Sequence, residues 1–136
     1  MSIISSYVID KITKEEPLNK QKFKEFFEII KDIKENDYSE ADIREKVVKI
    51  FEILGYNDFK REFTIKNVYR IDLIVEDKII VECKRKGAKF NRKDEDRITP
   101  EKQIRNYLNI SSQSKDIKVG VLTDGIVYRI YHISNI

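Results

Sequence analysis

Between Phe59 and Lys86 the apolar residues abandon helical spacing and alternate at every second position, and this switch of period constrains the fold more than any other feature of the chain. The runs "FKREFTI", "YRIDLIV" and "KIIVECKRK" each read as a strand, with Glu76, Asp77 and Lys78 as the tight turn of a hairpin between the last two. On either side the spacing is helical. Pro17 to Asn36 places Leu18, Phe23, Phe26, Phe27, Ile30 and Ile33 three or four apart, which predicts an amphipathic helix over 17–36 with its aromatics in the core. Ser39 is a good N-cap for a second helix, with Asp42 three residues on, and Gly55 suits the left-handed position just past its end. "GAKFNRKDEDRI" reads as a polar, mobile loop. Thr99 followed by Pro100 starts a third helix. "IKVGVLTDGIVYRIYHI" then gives two strands about a turn at Asp124-Gly125. The expected order is ααβββαββ, an α/β (α+β) arrangement with a mixed central sheet flanked by helices.

With 136 residues the chain is expected to form one domain over 1–136, built from the 17–36 helix and a core over 39–133. A net charge of +3 is too small to mark a polyanion binder, so any such affinity must come from local clusters of Lys and Arg. Cys83 and His132 are the sole residues of their kinds, which excludes an internal disulfide and a Cys/His zinc set. A metal, if bound, is held by oxygen. The start has no basic region followed by a long apolar run and no stretch would span a bilayer, so a cytoplasmic protein without a membrane partner is expected.

The alternating strands carry charge where buried strand is expected. Asp72 and Ile74 share one side of their strand, and Ile71, Leu73 and Val75 the other; Ile80, Glu82 and Lys84 share a side of the next, opposite Ile79, Val81 and Cys83. Counting outward from the turn sets Asp72 against Glu82. Like charges directly opposed destabilise a strand pair unless a cation lies between them. Mg²⁺, with Mn²⁺ as its substitute, is commonly held by one or two carboxylates with waters and phosphate oxygens. Lys84 points to the same side, where its ammonium could position a water or offset phosphate charge. The plainer alternative is that one face of the sheet is wet.

Other candidates border this spot. The inward stripe of the second helix, Ile43, Val47, Ile50 or Phe51 and Leu54, extends backwards to Glu40, whose alternative role is to stabilise the helix dipole. Glu45, about 200° round from Ile43, should face solvent. Gln103 and Tyr107 stack four apart on the third helix and could hydrogen-bond a phosphate, a water or the lysine, or simply lie on the surface. Arg85 and Lys86 could bind flanking phosphates or be solvated charge.

"RID", nine residues, then "ECK" resembles the signature of the PD-(D/E)XK nuclease superfamily, with Ile71 at the often-degenerate proline position. Four pieces in order, "SEADIREKVVKIFEILGY", the Asp72/Glu82/Lys84 set, "QIRNY" and "VLTDG", resemble more narrowly the N-terminal nuclease domain of type I restriction subunits and related restriction-modification proteins. The resemblance implies a restriction-endonuclease-like core with a divalent ion at the sheet edge. Asp72 and Glu82 would be metal ligands with the main-chain carbonyl of Cys83, Glu40 would touch the metal's water, Lys84 would be the catalytic lysine, and Gln103 and Tyr107 the accessory motif. It further implies double-stranded DNA as substrate. The partners it implies are motor, methyltransferase or specificity subunits or domains, or a second copy of the chain. The rival expectations are a non-catalytic DNA-binding or assembly module, and a junction-resolving or repair nuclease. No recognition helix is evident, so little intrinsic sequence specificity is expected.

Overall fold

The computed structural model describes residues 20–65, 69–92, 98–114 and 116–133. Their elements are α1 (Lys20–Glu35), α2 (Glu40–Ile53), β1 (Phe59–Ile65), β2 (Tyr69–Val75), β3 (Ile79–Cys83), α3 (Pro100–Ser114), β4 (Val119–Thr123) and β5 (Tyr128–His132), in the expected order. Of the residues read from sequence, Pro17 and Leu18 at the start of the expected first helix and the loop positions 93–97 lie outside the described residues.

Local chemistry sets the boundaries. Ser39 Oγ accepts the Asp42 N–H at 3.1 Å and starts α2. At the other end Gly55, at φ +100°, lets the Tyr56 N–H reach Phe51 O and its own N–H reach Glu52 O, each at 3.0 Å. That is the Schellman pattern, completed by the Phe51 and Tyr56 rings meeting edge to face at 5.4 Å. Thr99 caps α3 through the Lys102 N–H at 3.1 Å. Glu76 and Asp77 both take positive φ in the β2–β3 hairpin, as a type I′ turn requires.

The five strands form one sheet in the order β1-β2-β3-β4-β5. Neighbours are antiparallel except β3 and β4, which α3 connects as a parallel pair. Alternation along β3 feeds two cores. Ile79, Val81 and Cys83 pack with Ile43, Val47, Val48 and Phe51 of α2, while Ile80 packs with Ile104, Tyr107 and Leu108 of α3. Gly120 allows the second contact, because a Cβ there would lie 2.9 Å from Leu108 Cδ1 and 3.0 Å from Ile104 Cγ1.

Three expectations are corrected here. Ile71 does not stay with Leu73 and Val75; it packs with Ile74 and α3. The exchange occurs between the Arg61–Leu73 and Phe63–Ile71 partners, at the level of Glu62, whose φ is +52°. A left-handed residue within a strand locally re-aims the side chains next to it. Phe63 and Ile71 therefore turn to the α3 side together. Second, α1 does not bury its aromatics: Ile33 is fully buried, but Phe23 and Phe27 are 47% and 62% exposed. The helix packs against α2, and the sheet faces are already covered by α2 and α3, so only its inner edge is enclosed. Third, the segment after β3 is not uniformly polar and free. Phe90 is buried, lies 5.2 Å under the Arg129 guanidinium, and its carbonyl accepts the Glu101 N–H.

Candidate active site

Continuing the β2–β3 register one step beyond Leu73–Val81 brings Asp72 opposite Glu82. Two hydrogen bonds lock the pair across the strands. The Asp72 N–H donates to Glu82 Oε1 at 3.1 Å, and the Cys83 N–H donates to Asp72 Oδ2 at 2.9 Å. Glu82 is 4% exposed, a burial found for glutamate only where something compensates it. Burial, and after it the Asp72 carboxylate, hold the Glu82 carboxyl well above its ordinary range; the Asp72 N–H and the Lys84 ammonium pull the other way without prevailing. The arrangement expected from counting residues is present, together with its electrostatic conflict.

A hard divalent cation fits this donor set. Two carboxylates on adjacent strands, each holding one backbone N–H, supply the oxygen ligands such an ion prefers, and its charge would remove the repulsion. Among the described residues no three His, Cys, Asp or Glu side chains converge on one point, so an ion here would find two carboxylates among them. Further positions fall to main-chain carbonyl, water or phosphate. Cys83 has only main chain to offer, since its thiol is buried in the α2-side core and burial pushes its pKa up. Glu40 does not close into a third carboxylate. It opens α2 as an exposed residue on the rim of a cleft, because the inward stripe starts at Ile43 and the turn before it is already outside the core.

That cleft, of about 500 Å³, brings Glu40 together with Lys84, Arg85 and Lys86. Lys84, Arg85, Lys86, Lys89 and Arg92 supply its cations, with Glu40 and Asp37 also in its lining. It lies past the C-terminal end of β3 and takes in the first residues of α2 and α3, Glu40 and Pro100. Helix N-termini and clustered cations both favour an anionic ligand, and phosphate suits them. Lys84 is half-buried at the junction of the cleft and the acid pair, two residues beyond Glu82. Arg85 stays extended and exposed, 3.9 Å from Asp37. Lys86, grouped with it from sequence, is used differently. Its ammonium donates to the carbonyls of Ile33, Lys34 and Asn36 at 2.9–3.1 Å and caps the C-terminus of α1.

Gln103 and Tyr107 are brought together as expected, with Gln103 Nε2 donating to Tyr107 Oη at 2.8 Å. They ride on the α3 side of the sheet, to which alternation from Ile80 also assigns Glu82. Gln103 Oε1 is buried and accepts no hydrogen bond from the described residues.

Sequence reasoning misses Asp124. An Asp-Gly pair signals a turn, yet Asp124 is 5% exposed and fully used. Oδ1 accepts the Ile126 and Val127 N–H groups at 2.9 and 2.8 Å, and Oδ2 accepts the Gly87 N–H at 2.9 Å. With the Lys84 N–H bonded to Thr123 O at 2.8 Å, the β4–β5 turn fixes both ends of the segment 84–87. Nothing local to the turn signals that its second carboxylate oxygen reaches 37 residues back. Lys89 and Arg92 escape notice as cleft cations because they sit in a stretch that reads as a solvated loop.

A family model described as the PD-(D/E)XK nuclease superfamily matches residues 54–124, just over half of the chain. The chain belongs to the PD-(D/E)XK nuclease superfamily. The match spans both acids, Lys84, the Gln103–Tyr107 pair and Asp124, and the mixed five-stranded sheet with flanking helices is the restriction-endonuclease-like architecture. Superfamily members are in general metal-dependent nucleases, so the fold implies a nuclease with DNA as its substrate class. A search of curated proteins and a search of solved structures each return no match. Among the described residues no helix is long and apolar enough to cross a membrane.

Proposed function

We propose that this protein is a Mg²⁺-dependent endonuclease that hydrolyses phosphodiester bonds of double-stranded DNA, as the nuclease unit of a restriction-modification system. The observation that carries the reading is the mutually opposed pair of buried Glu82 and half-buried Asp72, beside Lys84 at the mouth of a basic cleft. When bound there, the ion would supply a water nucleophile of lowered pKa and positive charge against the developing phosphorane. Asp72 and Glu82 would hold it, with the Cys83 carbonyl as a main-chain donor. Lys84 faces the reacting phosphate and offsets its charge, and Arg85 with Lys89 and Arg92 holds flanking phosphates along the cleft. Gln103, bonded to Tyr107 and with an Oε1 that has no partner among the described residues, would orient a donor on the α3 side of the sheet.

The restriction assignment is supported by the ordered set of four sequence pieces that resembles type I restriction subunits. On that reading the residues over 39–133 form the nuclease domain, and motor, methyltransferase or specificity subunits are its partners. The test is cleavage of supercoiled plasmid in Mg²⁺ by wild type, Asp72→Ala and Lys84→Ala. Both variants should fold and neither should cut; Mg²⁺-dependent cutting at the wild-type rate by either one would refute the assignment.

A further inference from the structure

The proposed chemistry makes no use of α1, and the two sides of that helix differ in charge. At 100° per residue, Lys20, Phe23, Lys24, Phe27, Lys31 and Lys34 fall within about 100° of arc on the outward side. All six are exposed. Phe23 and Phe27 stack along this stripe with ring centroids 6.3 Å apart and planes 19° from parallel. The acids go elsewhere: Glu25, Glu28 and Asp32 line the groove between α1 and α2. At the margin Glu35 reaches Lys31 only at 4.0 Å, between two side chains that are mostly in water. The outward stripe therefore holds four lysines, two phenylalanines and no carboxylate.

The stripe also ends at the cleft. Lys86 binds the carbonyls of Ile33, Lys34 and Asn36, and Asp37, next in the chain, lines the cleft with Lys84. From Lys34, whose carbonyl Lys86 binds, the stripe continues for about 21 Å to Lys20 at 1.5 Å per residue.

We propose that the outer face of α1 is a second DNA-contact surface that holds a single-stranded stretch adjoining the duplex in the cleft, with Lys20, Lys24, Lys31 and Lys34 on phosphates and Phe23 and Phe27 stacked on unpaired bases. The inference rests on DNA being the substrate of the cleft. Cations alone suffice to hold a duplex. Exposed rings set between cations grip unpaired bases, whose faces a duplex hides. A membrane-surface helix would need a broad apolar face, whereas Ile29 and Ile33 turn inward here and half-buried Ile30 alone of the aliphatic residues borders the stripe. A second copy would set four lysines against four.

Fluorescence anisotropy in Ca²⁺ or EDTA tests this with one labelled duplex, blunt or carrying a single-stranded tail. The wild type should prefer the tailed DNA. Phe23→Ala/Phe27→Ala should weaken tailed binding by at least about thirtyfold and leave blunt binding unchanged. Replacing the four lysines by Gln should lower the salt slope for tailed DNA by up to about 0.7 per lost phosphate contact. Cleavage at saturating DNA should be unchanged in both. The proposal is overturned if the tail preference is absent or survives the double variant. It is equally overturned if that variant changes the oligomeric state, lowers the melting temperature by several degrees, or loses binding to anionic vesicles instead, since the face would then be covered by a copy, by this chain or by lipid. Asp72→Ala should keep the tail preference. Tail binding without any cleavage in the wild type would sink the nuclease reading alone, and cleavage without tail preference would sink this one alone.

Discussion

Glu45 and Glu82 carry the same side chain and meet opposite fates. At the α2–β1 corner Glu45 takes both N–H groups of the Arg61 fork at 2.8 and 2.9 Å, and that hydrogen bond holds its carboxyl below the ordinary range despite some burial. At the open end of the β2–β3 hairpin Glu82 is enclosed, faces another carboxylate, and is held well above that range. The turn end of the same hairpin resembles the corner, with Asp77 on the Lys60 ammonium at 2.7 Å. The chain thus neutralises carboxylates with its own cations where they only tie elements together. Asp72 and Glu82 are instead set against each other, and on the proposed reading that is the place a cation from solution would fill.

The comparison breaks first at activity. Asp72→Ala or Lys84→Ala should lower plasmid cleavage by at least about a hundredfold while circular dichroism stays native; a Glu45→Gln variant should cut normally, and a comparable loss there would erase the distinction. Stability comes next. Mg²⁺ at a hundredfold excess over its dissociation constant should stabilise the wild type by about 2.7 kcal/mol in urea denaturation, and Glu82→Gln should show almost none of this. Asp124 sharpens the contrast as a buried carboxylate that is fully satisfied by N–H groups. Asp124→Ala should cost about 1–3 kcal/mol whether or not Mg²⁺ is present, because it orphans buried donors. The smallest effect belongs to Glu45→Gln, about 0.5 kcal/mol, since the pair is half in water. Glu45 is depressed in the fold, so its contribution is complete above the ordinary glutamate pKa and lost as pH falls through the folded value. The gap between variant and wild type should therefore close in acid; a gap that widens would contradict the ion pair.

The features legible in sequence are those that a few neighbouring residues determine. Ser39, Gly55, Thr99 and the Glu76–Asp77 turn act within one turn of chain, and each does in the fold what its local sequence suggests. The Asp72–Glu82 juxtaposition is legible for the same reason, because a hairpin turn converts sequence distance into register. The features that escape it depend on distant partners. A helical stripe shows which residues could be buried together, but Phe23 and Phe27 needed a surface to cover them and the sheet was already taken. Glu45 does lie on the outer flank of α2, yet Arg61, sixteen residues on, draws it across to β1. Lys86 looks like one of three equivalent cations until the fold brings it to carbonyls some fifty residues away. Glu40 shows the reverse failure, a stripe extended one turn further than the core reaches.

The cap that Lys86 places on α1 joins a helix lying ahead of the matched family region to the strand exit that carries Lys84. Through this cap a displacement of α1 reaches the peptide segment beside Lys84. The first helix is in that sense a handle on the blade.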